Sequence, residues 1–128
     1  MMYLMIGTRP DLAQPLAVLS QYLQNHGRTH WNAALRVLAY LRATSTIGLR
    51  CKGEVPGTVP SVVGMCDASF AMHEDCASQS GIYLTLCGAA NSWKSYKIRK
   101  IVLSSTEAEY VAASDASRQA EYHRNVLV

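Results

Sequence analysis

One acidic residue continues an apolar row of a predicted strand. Residues 61–69 have the composition of a strand, and the two-residue period puts Val63, Met65 and Asp67 on one side. A carboxylate on a packing face costs free energy unless a donor or a cation meets it, so Asp67 is a candidate for catalysis or metal binding. An acid at the end of a strand is also common in turns, and both interpretations stay open at this point.

A second acid, Glu109, lies near the start of a predicted helix. Ser104 is a good N-cap, and Glu107 follows it at the spacing of a capping box, so that cap does not need Glu109. Glu109 recurs instead on a helix face with alanines at 112, 113 and 116. If Thr106 is the cap, however, Glu109 becomes the capping-box partner and its role is structural. The residue pattern leaves both interpretations open.

The elements around these acids predict that they meet. We predict three strands and then one helix, over residues 61–69, Gln79–Leu86, Asn91–Ser95 and 104–127. Short turns favour an antiparallel meander, with the helix packed back on it. The inward row of the first strand and the inward face of the helix would bring Asp67 and Glu109 together. Paired carboxylates either repel or hold a cation, and Mg²⁺ suits them because it takes oxygen ligands.

The first 52 residues are predicted to be a helical segment. Thr8 is the predicted first cap, Pro15 predicts an irregular first turn, and a buried stripe is expected at Leu12, Leu16, Leu19 and Leu23. A second helix, capped by Thr29 and ending near Ala43, would place Trp31, Ala34, Leu35, Leu38 and Leu41 on one side. Together they form a helical hairpin.

A loop separates this segment from the rest of the chain. Ile47–Lys52 could form a short strand, and residues 53–60 are rich in glycine and proline. We therefore predict two domains, a helical connection over residues 1–52 and a second domain over residues 61–128. The predicted fold class is α+β, with a helical hairpin, a three-stranded antiparallel meander and one long helix.

The composition is that of an ordinary soluble protein. The chain has 128 residues, of which 49% are apolar and 16% charged, and it contains no apolar run long enough for a membrane span. The four cysteines lack a Cys-x-x-Cys spacing, which favours reduced thiols over zinc. These features predict an intracellular protein without a membrane partner.

The formal net charge is +3, and a basic stretch follows the third predicted strand. Lys94, Lys97, Arg99 and Lys100 lie around Tyr96, a mixture that suits contact with the phosphates of a nucleic acid. A solvated charged loop explains the same residues, and that alternative stays open.

Several segments carry a resemblance to a known family. They are Asp67-Ala68-Ser69, Ser78-Gln79-Ser80-Gly81-Ile82-Tyr83, Ser92-Trp93-Lys94-Ser95 and Leu103-Ser104-Ser105-Thr106-Glu107-Ala108-Glu109-Tyr110. They resemble the ribonuclease H domain of copia-type retrotransposon Pol polyproteins. Residues 3–11 and 30–41 are similar to the segment that follows the reverse transcriptase core in that family.

The resemblance implies an α/β ribonuclease H-like fold that hydrolyses the RNA strand of RNA–DNA hybrids with two Mg²⁺ or Mn²⁺ ions. It implies that Asp67 and Glu109 are catalytic metal ligands and that Glu107 is the capping neighbour. The family carries a third metal aspartate on a later strand, whereas this sequence stops at Val128. We therefore expect a truncated domain, inactive alone, whose first strand has an open edge that favours self-association. Completion by another chain, or a non-catalytic remnant that binds nucleic acid or protein, are the alternatives.

Overall fold

The structure is a computed structural model that describes residues 1–51, 61–72 and 75–127. The chain divides into two compact units, Met1–Leu49 and Arg50–Val128. The predicted loop over residues 53–60 lies outside the described residues, and so does Lys52. None of the helices in the described ranges is long and apolar enough to cross a membrane.

The first unit contains three helices. They are α1 (Met2–Gly7), α2 (Ala13–Ser20) and α3 (Arg28–Ala43), and a 3₁₀ turn over Pro10–Leu12 leads into α2. The irregular start that Pro15 predicted is confirmed by this turn. The prediction of Thr8 as a cap is wrong, because Thr8 ends α1 and makes no side-chain bond to a helix terminus. The segment Ile47–Cys51 forms no strand, so that prediction is wrong as well.

The buried stripe of the first unit is shorter than predicted. Leu12 and Leu16 are buried, but Leu23 is 75% exposed. On α3, the expected apolar side is also open to solvent, with Trp31 60% exposed. Apolar periodicity identified the helices, but it could not show how much of each face the rest of the unit covers.

The start of α3 shows why Thr29 was not the cap. The backbone N–H of Gly27 donates to Nδ1 of His30 at 3.0 Å, and Thr29 lies inside the helix. The His30 ring also stacks on Tyr22, with ring centroids 4.0 Å apart. The side chain of His30 therefore accepts a backbone hydrogen bond at this helix terminus, where the hydroxyl of Thr29 was expected to act.

The second unit is built on a three-stranded antiparallel sheet in the order β1-β2-β3. The strands are β1 (Val62–Ser69), β2 (Gln79–Leu86) and β3 (Ala89–Lys97), so the predicted meander is confirmed and the third strand is longer than expected. Cys87 and Gly88 join β2 to β3, with φ angles of 51° and 77°. Two such residues form the tight turn that matches the twist of the strands.

A long helix, α4 (Ser105–Leu127), packs on β1 and β2. The N–H of Glu107 donates to Ser104 Oγ at 3.1 Å, and its carboxylate accepts from the N–H of Leu103 at 2.7 Å. The capping interpretation based on Ser104 is thus confirmed, and the alternative based on Thr106 is wrong. The α+β class, with helices and one antiparallel sheet, is also confirmed.

The contact between α4 and the sheet is close because small side chains line the helix. The buried residues on this helix are Ala108, Ala112 and Ala116. Ala116 packs on Ile82 and Leu84, and Tyr96 and Ala120 flank that cluster. Leu84 is fully buried at 0% exposure.

The register of the sheet shows which side of β1 faces α4. Gly64 pairs with Leu84 and Cys66 pairs with Ile82. Residues that pair directly share a face, so these small residues of β1 lie on the helix side. Asp67 follows Cys66 directly and pairs with Gly81. Because successive residues of a strand point to opposite faces, Asp67 lies on the face away from α4. The prediction that Asp67 lies in the inward row is therefore wrong.

A polar contact holds α4 against the third strand. The Tyr96 hydroxyl and the Arg118 guanidinium both donate to the carboxylate of Asp115. These two hydrogen bonds, that of Tyr96 first, hold the pKa of Asp115 below its usual value. Burial raises the pKa of Tyr96, and the neighbouring carboxylate raises it further.

We expect the substitution Gly64→Ala to lower the free energy of unfolding by about 1–3 kcal/mol. A Cβ atom at this position would lie 2.9 Å from Cδ2 of Leu84, so this fully buried side chain would have to shift. The control is Gly81→Ala, because a Cβ there meets nothing within 4 Å. Urea unfolding, followed by Trp93 fluorescence in a Trp31→Phe background, measures both variants. Equal stability of the two would contradict the close packing described here.

We expect the Asp115 carboxylate to make stability depend on acid pH. Its pKa is lower in the folded than in the unfolded chain, so its contribution is full above the unfolded pKa of about 4. The contribution is lost as the pH falls through the folded pKa. Urea unfolding between about pH 6 and 2.5 should show a steeper loss in the wild type than in Asp115→Asn. A control is Glu121→Gln, which should retain the wild-type slope; parallel profiles for wild type and Asp115→Asn would refute the assignment.

Candidate functional site

Asp67 lies on an exposed position near the end of β1. It shares a sheet face with Met65 and Val63, both of which are also exposed. In the described part of the chain, β1 has one neighbouring strand, β2, so its other side is a free edge. The carboxylate of Asp67 is therefore accessible from solvent, on the face away from α4.

Glu109 is also exposed, near the start of α4. At about 100° per residue, Glu109 and Asp115 lie about 60° to either side of the buried Ala112. Asp115 reaches β3 through Tyr96, so Glu109 faces the other way, toward the free edge of β1. Within the described ranges, no hydrogen bond or ion pair engages its carboxylate.

The two acids do not form a complete metal site. Among the residues that the structure describes, no group of three or more histidine, cysteine, aspartate or glutamate side chains could hold a metal ion. Two-metal hydrolysis needs several ligands around ions about 3.5–4 Å apart. Two carboxylates are too few for two Mg²⁺ sites, since each ion demands octahedral coordination. The metal-binding roles of Asp67 and Glu109 stay predictions.

Three of the four predicted basic residues border one concavity. Lys97, Arg99 and Lys100 line a hollow of about 730 Å³ between the turn after β1, the segment before β2 and the segment after β3. Lys97 pairs with Asp75, and this hydrogen bond lowers the pKa of the Asp75 carboxyl. Arg99 and Lys100 have exposed side chains and no acidic partner in the described ranges.

Lys94 lies apart from this concavity. It pairs in register with Ile82, which puts it on the α4 face of the sheet. Its Nζ lies 4.3 Å from the centroid of the Tyr96 ring, a cation–π contact. The sequence grouped the four basic residues because they are close along the chain, whereas the strand alternation puts Lys94 and Lys97 on opposite faces.

The structure also reveals a polar cluster that the sequence did not indicate. In the first unit, Nη2 of Arg9 donates to Asp11 Oδ2 at 2.7 Å and to Thr44 Oγ1 at 2.7 Å, and Nη1 donates to the Thr44 carbonyl at 3.0 Å. The Tyr40 hydroxyl donates to the same carboxylate oxygen at 2.7 Å.

The Arg9 guanidinium holds the pKa of Asp11 below its usual value, mainly through the hydrogen bonds that it donates to the Asp11 carboxylate. Because Arg9 is buried and its donors are engaged inside the unit, the cluster ties the end of α3 to the segment before α2. No sequence signal could have found it, because its members are up to 35 positions apart.

Comparisons with known proteins identify relatives over nearly the whole chain. It is 47% identical over 120 residues to the secreted RxLR effector protein 161 of Plasmopara viticola, covering 93% of this chain and 82% of that protein. It is 41% identical over 120 residues to the retrovirus-related Pol polyprotein from transposon TNT 1-94 of Nicotiana tabacum. It is 37% identical over 121 residues to that from transposon RE2 of Arabidopsis thaliana.

The shared region is a small part of the Pol relatives. It covers 93% of this chain but 9% of the tobacco polyprotein, and 94% of this chain but 8% of the Arabidopsis polyprotein. No protein-family model matches the chain. No solved structure matches it either. The family that the sequence motifs indicated is confirmed by these relatives: the chain corresponds to a segment of copia-type retrotransposon Pol polyproteins.

Proposed function

We propose that this chain is a ribonuclease H-like portion of a Pol polyprotein and that it binds RNA–DNA hybrids. Three features support the proposal: the Pol relatives, the antiparallel meander with α4 packed on it, and the concavity with its basic border. The observation that carries it is the position of Arg99 and Lys100, two exposed cations on a hollow at the end of the sheet where β1 ends.

The charges of the concavity suit the backbone of a nucleic acid. Lysine and arginine bind phosphates and release counterions, which makes the affinity fall with salt. Asp67 lies three positions before Phe70, which lines the same hollow. A strand of nucleic acid held by Arg99 and Lys100 would therefore pass close to the end of β1.

Asp67 and Glu109 have a proposed role in hydrolysis, but they do not form a complete metal site by themselves. Asp67 and Glu109 are the acids that a ribonuclease H-like reaction would use, and both are exposed near the free edge of β1. Because further oxygen ligands are required for two ions, we propose that the 128-residue chain binds hybrids without cleaving them. The alternative is a non-catalytic remnant that binds nucleic acid or protein through Lys94, Lys97, Arg99 and Lys100, and in which Asp67 is dispensable.

We expect hybrid binding to be steeply salt dependent. Fluorescence anisotropy with a labelled RNA–DNA hybrid between about 50 and 200 mM salt should give a slope of log K against log salt of about −2, since the two unpaired cations, Arg99 and Lys100, contact phosphates. Arg99→Ala and Lys100→Ala should each reduce that slope by about 1. The matched control is Lys94→Ala, because Lys94 lies on the other face of the sheet. Binding that does not change with salt, or an equal reduction of the slope in Lys94→Ala, would contradict the proposal.

A cleavage assay on the same hybrid tests the role of the acids. With Mg²⁺ and a labelled RNA strand, we expect no product above the enzyme-free blank. If product does form, and Asp67→Asn and Glu109→Gln each abolish it, the chain is an active hydrolase, completed by self-association or a further chain. Product that survives both substitutions would reject a role for these acids.

We expect the free edge of β1 to support self-association. Val63 and Met65 are 49% and 59% exposed, and no lysine interrupts the strand, whereas β3 carries Lys94 and Lys97. An unpaired apolar edge favours pairing with the same strand of a second copy. Sedimentation velocity over a range of concentrations should show a dimer, and Val63→Lys should weaken it by about tenfold or more. Asn91→Lys on β3 is the control, and equal effects of both variants would contradict the assignment.

A further inference from the structure

The hollow beside Lys97 has an apolar wall as well as a basic one. Its apolar wall includes Phe70, Ile98 and Ile101, and its basic border is Lys97, Arg99 and Lys100. Phe70 is 43% exposed and Ile101 is 88% exposed, so neither contributes its full side chain to a core. The hollow therefore combines an exposed aromatic ring with cations. Contact with phosphates would require the cations but not the ring.

This combination matches the two halves of a nucleotide. Aromatic side chains stack on bases, while arginine and lysine bind the adjoining phosphate. A base inside a duplex is already covered on both faces by its neighbours, so along the hybrid a protein ring finds no open base face, whereas an unpaired base offers one. The volume of about 730 Å³ lies within the range of pockets that hold small ligands.

We propose that this hollow is a subsite for one unpaired nucleotide of a strand that continues beyond the hybrid, with its base stacked on Phe70 and its phosphate held by Arg99 and Lys100. The inference rests on the proposed hybrid binding and adds the class of nucleic acid that the site prefers. The preferred ligand is a hybrid with a single-stranded overhang.

Asp75 limits the positive charge of this subsite. Its carboxylate pairs with Lys97 at the border of the hollow, and both side chains are partly exposed. Because Lys97 is paired with Asp75, its charge is less available to the phosphate of the nucleotide, and the Asp75 carboxylate repels that phosphate. Removal of that charge frees Lys97, so Asp75→Asn should tighten nucleotide binding, and the amide oxygen can still accept from the Ala77 N–H.

The experiment compares two ligands on the intact chain. Anisotropy is measured with a blunt RNA–DNA hybrid and with the same hybrid carrying a single-stranded overhang of about three nucleotides. The wild type should prefer the overhang about five- to tenfold. Phe70→Leu should remove the preference without changing the affinity for the blunt hybrid, and Phe70→Trp should retain it. Tyr110→Leu, which removes an exposed aromatic from α4, is the matched control and should leave the preference intact.

The outcomes separate this inference from the function on which it rests. Blunt-hybrid binding that depends on Arg99 and Lys100, with no overhang preference or one that survives Phe70→Leu, overturns the subsite and leaves hybrid binding in place. Failure to bind either ligand, or indifference to the basic residues, overturns hybrid binding itself. Asp75→Asn should tighten overhang binding about three- to tenfold, and a weaker affinity in that variant contradicts the role of the ion pair. Thermal unfolding by circular dichroism shows whether Phe70→Leu folds; if it does not, the wild type is tested with an overhang of abasic nucleotides, where loss of the preference supports the subsite and its survival overturns it.

Discussion

The second unit depends on how closely α4 approaches the sheet. Ala108, Ala112 and Ala116 bring the helix backbone near the strands, and Gly64 leaves room for the buried side chain of Leu84. Larger side chains on either surface would move the helix outward, because interiors are packed without spare volume. The position of every polar residue on α4, including Asp115 and Glu109, follows from this one contact.

The same contact explains which parts of the fold the sequence could predict. Capping residues and the two-residue period gave α4, the Ser104 cap and the meander, because these depend on local patterns. The face of β1 that is turned toward α4 could not be identified in this way, since it carries Gly64, Cys66 and Ala68, which are small rather than strongly apolar, and Gly64 and Cys66 stay exposed. The exposed Val63 and Met65 carried the stronger hydrophobic signal and indicated the wrong side.

Neighbours along the chain were also a poor guide to the candidate site. Lys94 and Lys97 looked equivalent in sequence, yet strand alternation separates them by the thickness of the sheet. Lys97, moreover, is paired with Asp75, a residue 22 positions earlier. The sequence therefore predicted the chemistry of the basic segment, while the free charge at the hollow depends on a tertiary ion pair that no local pattern encodes.

The free edge of β1 links the assembly of the sheet to the acids. Glu109 lies on the side of α4 toward that edge, and Asp67 is exposed on the opposite face of the edge strand. A cation shared by both would have to sit beside the edge, since the sheet itself separates the two faces. Any strand that pairs with β1 would occupy the same place. For the metal-binding role proposed for Asp67 and Glu109, the remaining ligands would have to come from an element placed beside this edge, because two carboxylates are too few for two ions.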